Sequence, residues 1–200
     1  MKKVLAFMLL LMIVGAFVYS QEEYTRRGFY IDIGAGWGWI KYPEPLNSAM
    51  KWANSFPGVT RMSIDIDLSI GYAVLQNLYI VGSIGGIADS LSAKNTLTLM
   101  TMFVGPGVKF YPLPSKKYLQ LGLDAGYSGL SLSISDSPYD DVNGPNGFAF
   151  QFSLIGDFDR TLTGPALLLG GKFYLGFLDG EAVPAFSLFA KFVYKGKKRA

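Results

Sequence analysis

The chain of 200 residues has no cysteine and no histidine, and only 16% of its residues are charged. Without Cys there is no disulfide framework, no thiolate metal site, no cysteine nucleophile and no attachment point for a lipoprotein anchor. Without His the commonest general base and the commonest metal ligand are gone, together with every Ser-His-Asp arrangement. So little charge also argues against a disordered or strongly solvated chain, since an average protein carries roughly 25%. What is abundant is apolar, aromatic and small: 50% hydrophobic, 15% aromatic and 24 Gly. Those proportions fit one domain of a non-enzymatic protein with no cofactor.

Residues 1–20 read as a cleaved signal peptide. Lys2 and Lys3 precede an apolar run from Val4 to Phe17, and Val18-Tyr19-Ser20 provides the cleavage context. The run ends at Gln21-Glu22-Glu23 with no basic stop-transfer flank, and it is short for a membrane helix. Residues 21–27 form a short lead, 28–195 the folded body and 196–200 a basic tail. Lys2 and Lys3 leave with the signal, so 16 basic side chains then balance 15 acidic ones. That balance gives no attraction to nucleic acid.

The body alternates with period two, the signature of strands that show one face to each side. In Thr60–Ala73, Met62, Ile64, Ile66, Leu68, Ile70 and Tyr72 oppose Arg61, Ser63, Asp65, Asp67, Ser69 and Gly71. The pattern recurs in Gly28–Lys41, Tyr118–Ser128, Phe148–Leu154, Leu167–Phe177 and Phe186–Tyr194. Two segments are noisier: Leu78–Ala88 is broken by glycines, and Asn95–Phe110 carries Leu97, Leu99 and Phe103 on its polar face. Turn signals stand at Gln76-Asn77, Pro112-Leu113-Pro114-Ser115, Asp159-Arg160 and Asp179-Gly180, with polar loops at Tyr42–Val59, Asp89–Lys94 and Ser135–Gly147. Gly105-Pro106-Gly107 is expected to mark a bulge. The count is eight antiparallel strands. Ten is the alternative, because Gly107–Pro112 echoes Gly171–Leu175.

Repeated antiparallel alternation suits either a soluble barrel with its apolar face inside or a membrane barrel with that face outside. The polar faces here are mostly Gly, Ser and a few Asp, with little of the Lys and Glu that a water-facing sheet carries. The strands are long enough for a tilted crossing. Aromatics also gather at the two ends of the apolar faces. Phe29, Tyr72, Phe110, Phe192 and Tyr194 lie at one end, and Trp37, Trp39, Tyr127, Phe148, Phe177 and Phe186 at the other. Two such girdles mark two membrane interfaces. The expected fold is all-β, a closed up-and-down transmembrane barrel.

Inside it, Asp32, Arg61, Asp65, Asp67, Lys109, Asp124, Lys172 and Lys191 are expected to neutralise one another, since enclosed charges must find partners. Tyr30, Phe103, Tyr174 and Phe189 should point in as well. Gly34-Ala35-Gly36-Trp37-Gly38 lacks the spacing of a phosphate loop and precedes no helix; inward glycines there make room for large neighbours such as Tyr30. The loop Tyr42–Val59 is apolar for an exposed loop, with Leu46, Met50, Trp52 and Phe56. Asn47 or Ser48 could cap a helix there that runs to Asn54. The loop either folds onto the barrel rim or makes a contact at the mouth. In Ser135–Gly147, Asp136, Asp140 and Asp141 read as a solvated acidic loop.

The signal peptide, the alternation, Gly71-Tyr72 followed by Asn77-Leu78-Tyr79, and a last strand ending in an aromatic resemble the small OmpX-, OmpW- and OmpA-barrel-like outer-membrane proteins of double-membraned bacteria. The resemblance implies residence in outer-membrane lipid, assembly by the machinery that reads a terminal aromatic, and a structural or surface-interaction role. Its OmpW-like part implies a passive conduit for small hydrophobic molecules, and a possible extracellular partner or small hydrophobic ligand stays open. A soluble exported ligand-binding barrel is the third reading. Here Lys195–Ala200 follows Tyr194, which departs from the family's usual aromatic end.

Overall fold

In a computed structural model, the structure describes residues 28–75, 77–112, 119–135, 142–157 and 164–195. The signal segment 1–20, the lead 21–27, the tail 196–200, the turn residues Gln76, 113–115 and Asp159-Arg160, and the acidic residues Asp136, Asp140 and Asp141 lie outside them.

Alternation becomes eight strands among the described residues: β1 (Phe29–Ile40), β2 (Thr60–Leu75), β3 (Leu78–Ser92), β4 (Thr96–Phe110), β5 (Leu119–Ile134), β6 (Val142–Asp157), β7 (Gly164–Leu178) and β8 (Glu181–Lys195). Each pairs antiparallel with its neighbours in sequence, and β8 pairs with β1, so the sheet is a closed up-and-down barrel of eight strands, not ten. A helix, α1 (Leu46–Asn54), lies in the β1–β2 connection.

One rung shows how the barrel is tilted. From Phe29 the partners run through Tyr72, Ile80, Val108, Leu123, Phe152, Phe173 and Phe186 to Trp39. A full circuit therefore climbs ten residues along β1, from Phe29 to Trp39, a stagger that goes with strands inclined about 40–45° to the axis. A strand of 15 residues is about 50 Å long, so at that tilt it rises about 35 Å, more than an apolar band of about 25 Å. The rung is apolar throughout and lies on the outer face.

The apolar faces point out. Ile33, Ile66, Ile84 and Leu188 are each more than half exposed, as are Trp37 and Trp39, whereas the opposite faces are buried. This rules against the inside-in arrangement of a soluble barrel, in which these side chains would be the core. The girdle residues fall into rows. Phe29 pairs with Tyr72, Trp39 with Phe186, and Phe148 with both Tyr127 and Phe177. Phe192 is exposed, while Phe110 and Tyr194 are half-buried.

Several local expectations need correction. The β3–β4 and β4–β5 ladders keep one register on both sides of Gly105-Pro106-Gly107, so there is no bulge. The register slips instead between Ala73 and Leu75, beside a tight turn, and between Gly129 and Ser131. Asp89–Ser92 belongs to β3 and Val142–Gly147 to β6, so both loops are shorter than their polar sequences suggest. At the β7–β8 hairpin, Asp179 and Gly180 have φ of 48° and 85°. Two residues with positive φ form the tight turn that matches strand twist, and Asp-Gly adopts it at low cost.

Candidate functional site

Three layers fill the lumen. At the end that holds the chain termini, Tyr30, Tyr79, Val81, Tyr111, Ile155, Leu168, Phe189 and Val193 pack together, with the Tyr79 ring 5.0 Å from that of Tyr30 and 5.9 Å from that of Tyr111. At the other end Ile40, Tyr42, Met50, Ile87, Leu91, Leu99, Phe103, Leu130 and Tyr174 form a second plug. Leu97, Leu99 and Phe103, which break the alternation of β4, do so because they belong to this plug. Tyr30, Phe103, Tyr174 and Phe189 all point in, as expected.

Between the plugs lies a layer of charge. Lys191 on β8 contacts Asp32 on β1, at 3.1 Å, and Asp67 on β2. Lys172 on β7 donates to Asp65 on β2 at 2.8 Å, and Ser187 donates to the other oxygen of that carboxylate. Lys109 on β4 donates to both oxygens of Asp124 on β5, at 3.0 and 2.8 Å, and Ser83 adds a third donor. Tyr30 donates to Asp32 at 2.6 Å, while Gln120 donates to the hydroxyls of Tyr30 and Tyr111. All of these side chains are buried. A charge held away from water is tolerated only with such partners. Each of the four carboxylates is engaged by a lysine.

Glycines make the layer fit. A Cβ on Gly34 would stand 2.6 Å from Lys191 Cγ, one on Gly107 would stand 1.9 Å from an Asp124 oxygen, and one on Gly122 would meet Ser153 Oγ at 2.2 Å and Lys109 Cδ at 3.1 Å. Gly36 gives the same room to Phe189. The large neighbours beside the glycines of β1 are therefore Lys191 at Gly34, Phe189 at Gly36 and Ile87 at Gly38, not Tyr30.

Arg61 stands apart from the central layer. It forms a two-pronged pair with Asp89 on β3, at 2.9 and 2.6 Å, close to the loop end. The polar sequence Asp89–Lys94 suggests a loop, but Asp89 belongs to β3 and its side chain is buried in the lumen. Extending the alternation of β3 past Ala88 would have placed it inward with Ser83 and Ile87. The buried Tyr42 phenol lies near the same carboxylate. Burial first, and then Asp89, raise it well above the ordinary tyrosine value and keep it neutral.

The mouth is covered by α1. Its cap is neither Asn47 nor Ser48: the Glu44 carboxylate accepts from Asn47 Nδ2 at 3.0 Å and from the Ser48 backbone N–H at 3.1 Å. Hydrogen bonds from Ser48 and Asn47 hold the Glu44 carboxyl below the usual range. Met50 is buried in the upper plug and Leu46 packs against it, whereas Trp52 is 68% exposed and Phe56 45%. Their rings meet edge to face at 4.6 Å. The four apolar residues of this connection thus divide into a pair that seals the barrel and a pair that faces outward.

No protein-family model matches the chain, and no curated protein matches it. Solved structures do. Neisserial surface protein A is 15% identical, with a TM-score of 0.57 over 87% of this chain and 99% of that one. Ail, the attachment invasion locus protein of Yersinia pestis, is 12% identical, with a TM-score of 0.52 over 85% of this chain and all of that one; it has also been solved with the heparin analogue sucrose octasulfate. At these identities the likeness is one of fold: the chain shares the architecture of small eight-stranded outer-membrane barrels.

Proposed function

We propose that this protein is a non-enzymatic integral outer-membrane barrel whose lumen is sealed and whose role, structural or in surface interaction, is exercised at the loop end. The observation that carries the reading is the pairing of an apolar outer wall with a charge layer buried between two apolar plugs. Such a wall is stable only in hydrocarbon, and closure leaves no strand edge unpaired there. The filled lumen speaks for a structural or surface role over the conduit. At the loop end, Trp52 of α1 and Phe56 just after it face outward with Lys51 beside them, a compact patch suited to an extracellular partner.

The partners of this reading are outer-membrane lipid throughout life and the insertion machinery during assembly, with Tyr194 as the terminal aromatic. The test is fractionation of cells making the full chain, combined with gel mobility before and after boiling. Sedimentation with outer membranes and a mobility shift on boiling are expected. Recovery as a soluble, non-shifting periplasmic protein would overturn the reading.

A further inference from the structure

The outer wall is uneven at two places, and one of them has polar side chains at its edge. Gly129 faces outward on β5, in the rung Met102–Gly129–Asn146, between Tyr127 and Ser131 on the same face. Here the β5–β6 ladder slips by one residue. A Cβ on Gly129 would meet only Asn146 Cβ, at 3.7 Å. The missing side chain and the slipped ladder leave a groove of about 520 Å³. Its walls are Ile84, Met102, Val104 and Tyr127, and Leu130 lies in its floor. The volume falls within the range of small-ligand sites.

We propose that this groove binds one acyl chain of a membrane lipid, with the ester region of that lipid at Ser131 and Asn146. The proposal rests on the membrane-barrel reading above. The groove is continuous with the lipid-facing belt, because Ile84, Met102, Val104 and Tyr127 are each about half exposed members of it. It is lined by no charged residue, which suits an uncharged, flexible occupant. Ser131 and Asn146 bring polar side chains to the groove at its loop side, and a polar group at membrane depth is stabilised by a hydrogen-bonding partner such as an ester carbonyl. A second depression, at Ala35 and Ala190 on the β1–β8 side, is more open and has no polar side chain in its lining.

The full chain, folded in detergent with one equivalent of a diacyl phosphatidylcholine, tests this by native mass spectrometry. The wild type is expected to retain a single phospholipid. Gly129→Leu, which fills the groove, should lower retention about tenfold or more, the loss of about 1.4 kcal/mol of affinity. Ala190→Leu should retain lipid as the wild type does. Equal retention by Gly129→Leu, or equal loss in both variants, would overturn the proposal.

A measurement on the unaltered protein guards against a variant that fails to fold. In methyl NMR the Met102 signal should move on adding the phospholipid while that of Met62, on the outer wall of β2 and away from the groove, stays in place. Equal movement of both would also overturn it. A protein that inserts and shifts on boiling but holds no lipid defeats the groove alone. One that stays soluble and never shifts defeats the groove and the barrel reading together.

Discussion

Lys191 and Asp32, 159 residues apart in sequence, meet at 3.1 Å across the seam where the last strand closes on the first. Lys191 also holds Asp67, on the far side of β1, so one ammonium ties β8, β1 and β2 together. Its stem lies against Gly34, and the charge stands 5.2 Å from the centre of the Phe189 ring. Replacing it with Met leaves two carboxylates buried without their cation. Removing one partner of a buried pair costs about 3–5 kcal/mol. Lys191→Met is expected to lower the urea midpoint of the heat-shifting band accordingly. Adding Asp32→Asn and Asp67→Asn should recover most of the loss. A neutral Lys191→Met would mean that water reaches this layer.

The inside and outside assignments are separable by two neighbours on β2. Ile66 is 55% exposed and Asp67 is buried. Ile66→Arg should cost about 2–4 kcal/mol in vesicles, because a cation on the lipid face loses its hydration near the midplane. Asp67→Asn keeps an acceptor for Lys191 and should cost less. The reverse order would invert the two faces.

Strand existence, strand number and the sidedness of the wall were legible because alternation carries them directly, as in Ile64, Ile66 and Ile70 against Asp65, Asp67 and Ser69. The charged residues of the lumen were legible for the same reason: a Lys or Asp on the minor face of a long apolar strand has one place to go. Who pairs with whom was not legible. Lys191 with Asp32 and Asp67, and Lys172 with Asp65, follow from the ten-residue climb of the rungs, which no single strand encodes. Asp89 was hidden by the glycines before it, and Leu99 and Phe103 looked like noise because the lumen changes from polar to apolar toward the loop end. The capping role of Glu44 was missed because it precedes α1 instead of standing at its first turn.

Glu44 gives a pH dependence to the mouth. Its folded value lies below the free one, so the stabilisation it gives α1 is complete above the ordinary glutamate range and disappears as pH falls through the lowered value. Amide exchange in residues 46–54 should therefore quicken on acidification from pH 7 to about 3, beyond the intrinsic change. In Glu44→Ala exchange should be fast at both pH values. A pH-independent helix in the wild type would show that Met50 alone holds it.

The inward and outward sides of the segment 46–56, which holds α1, should separate by substitution. Met50 is 2% exposed within the upper plug, so Met50→Ala is expected to cost about 2–5 kcal/mol of local stability and to loosen the helix. At nine residues, α1 is too short to persist without that docking. The double change Trp52→Ala and Phe56→Ala removes only the outward patch. It should leave the urea midpoint within about 0.5 kcal/mol of wild type while abolishing any binding at the loop end. Equal destabilisation by both sets would mean that Trp52 and Phe56 serve the plug instead.

The sealed lumen is tested most directly by conductance. Purified full chain is reconstituted in planar bilayers at neutral pH and moderate salt, with insertion verified by the gel shift of the same preparation. The charge layer, closed above and below by Phe103, Tyr174, Tyr30 and Phe189, is expected to give small, infrequent steps or none. Long-lived, large conductances like those of general porins would contradict the filled lumen and put the conduit reading first.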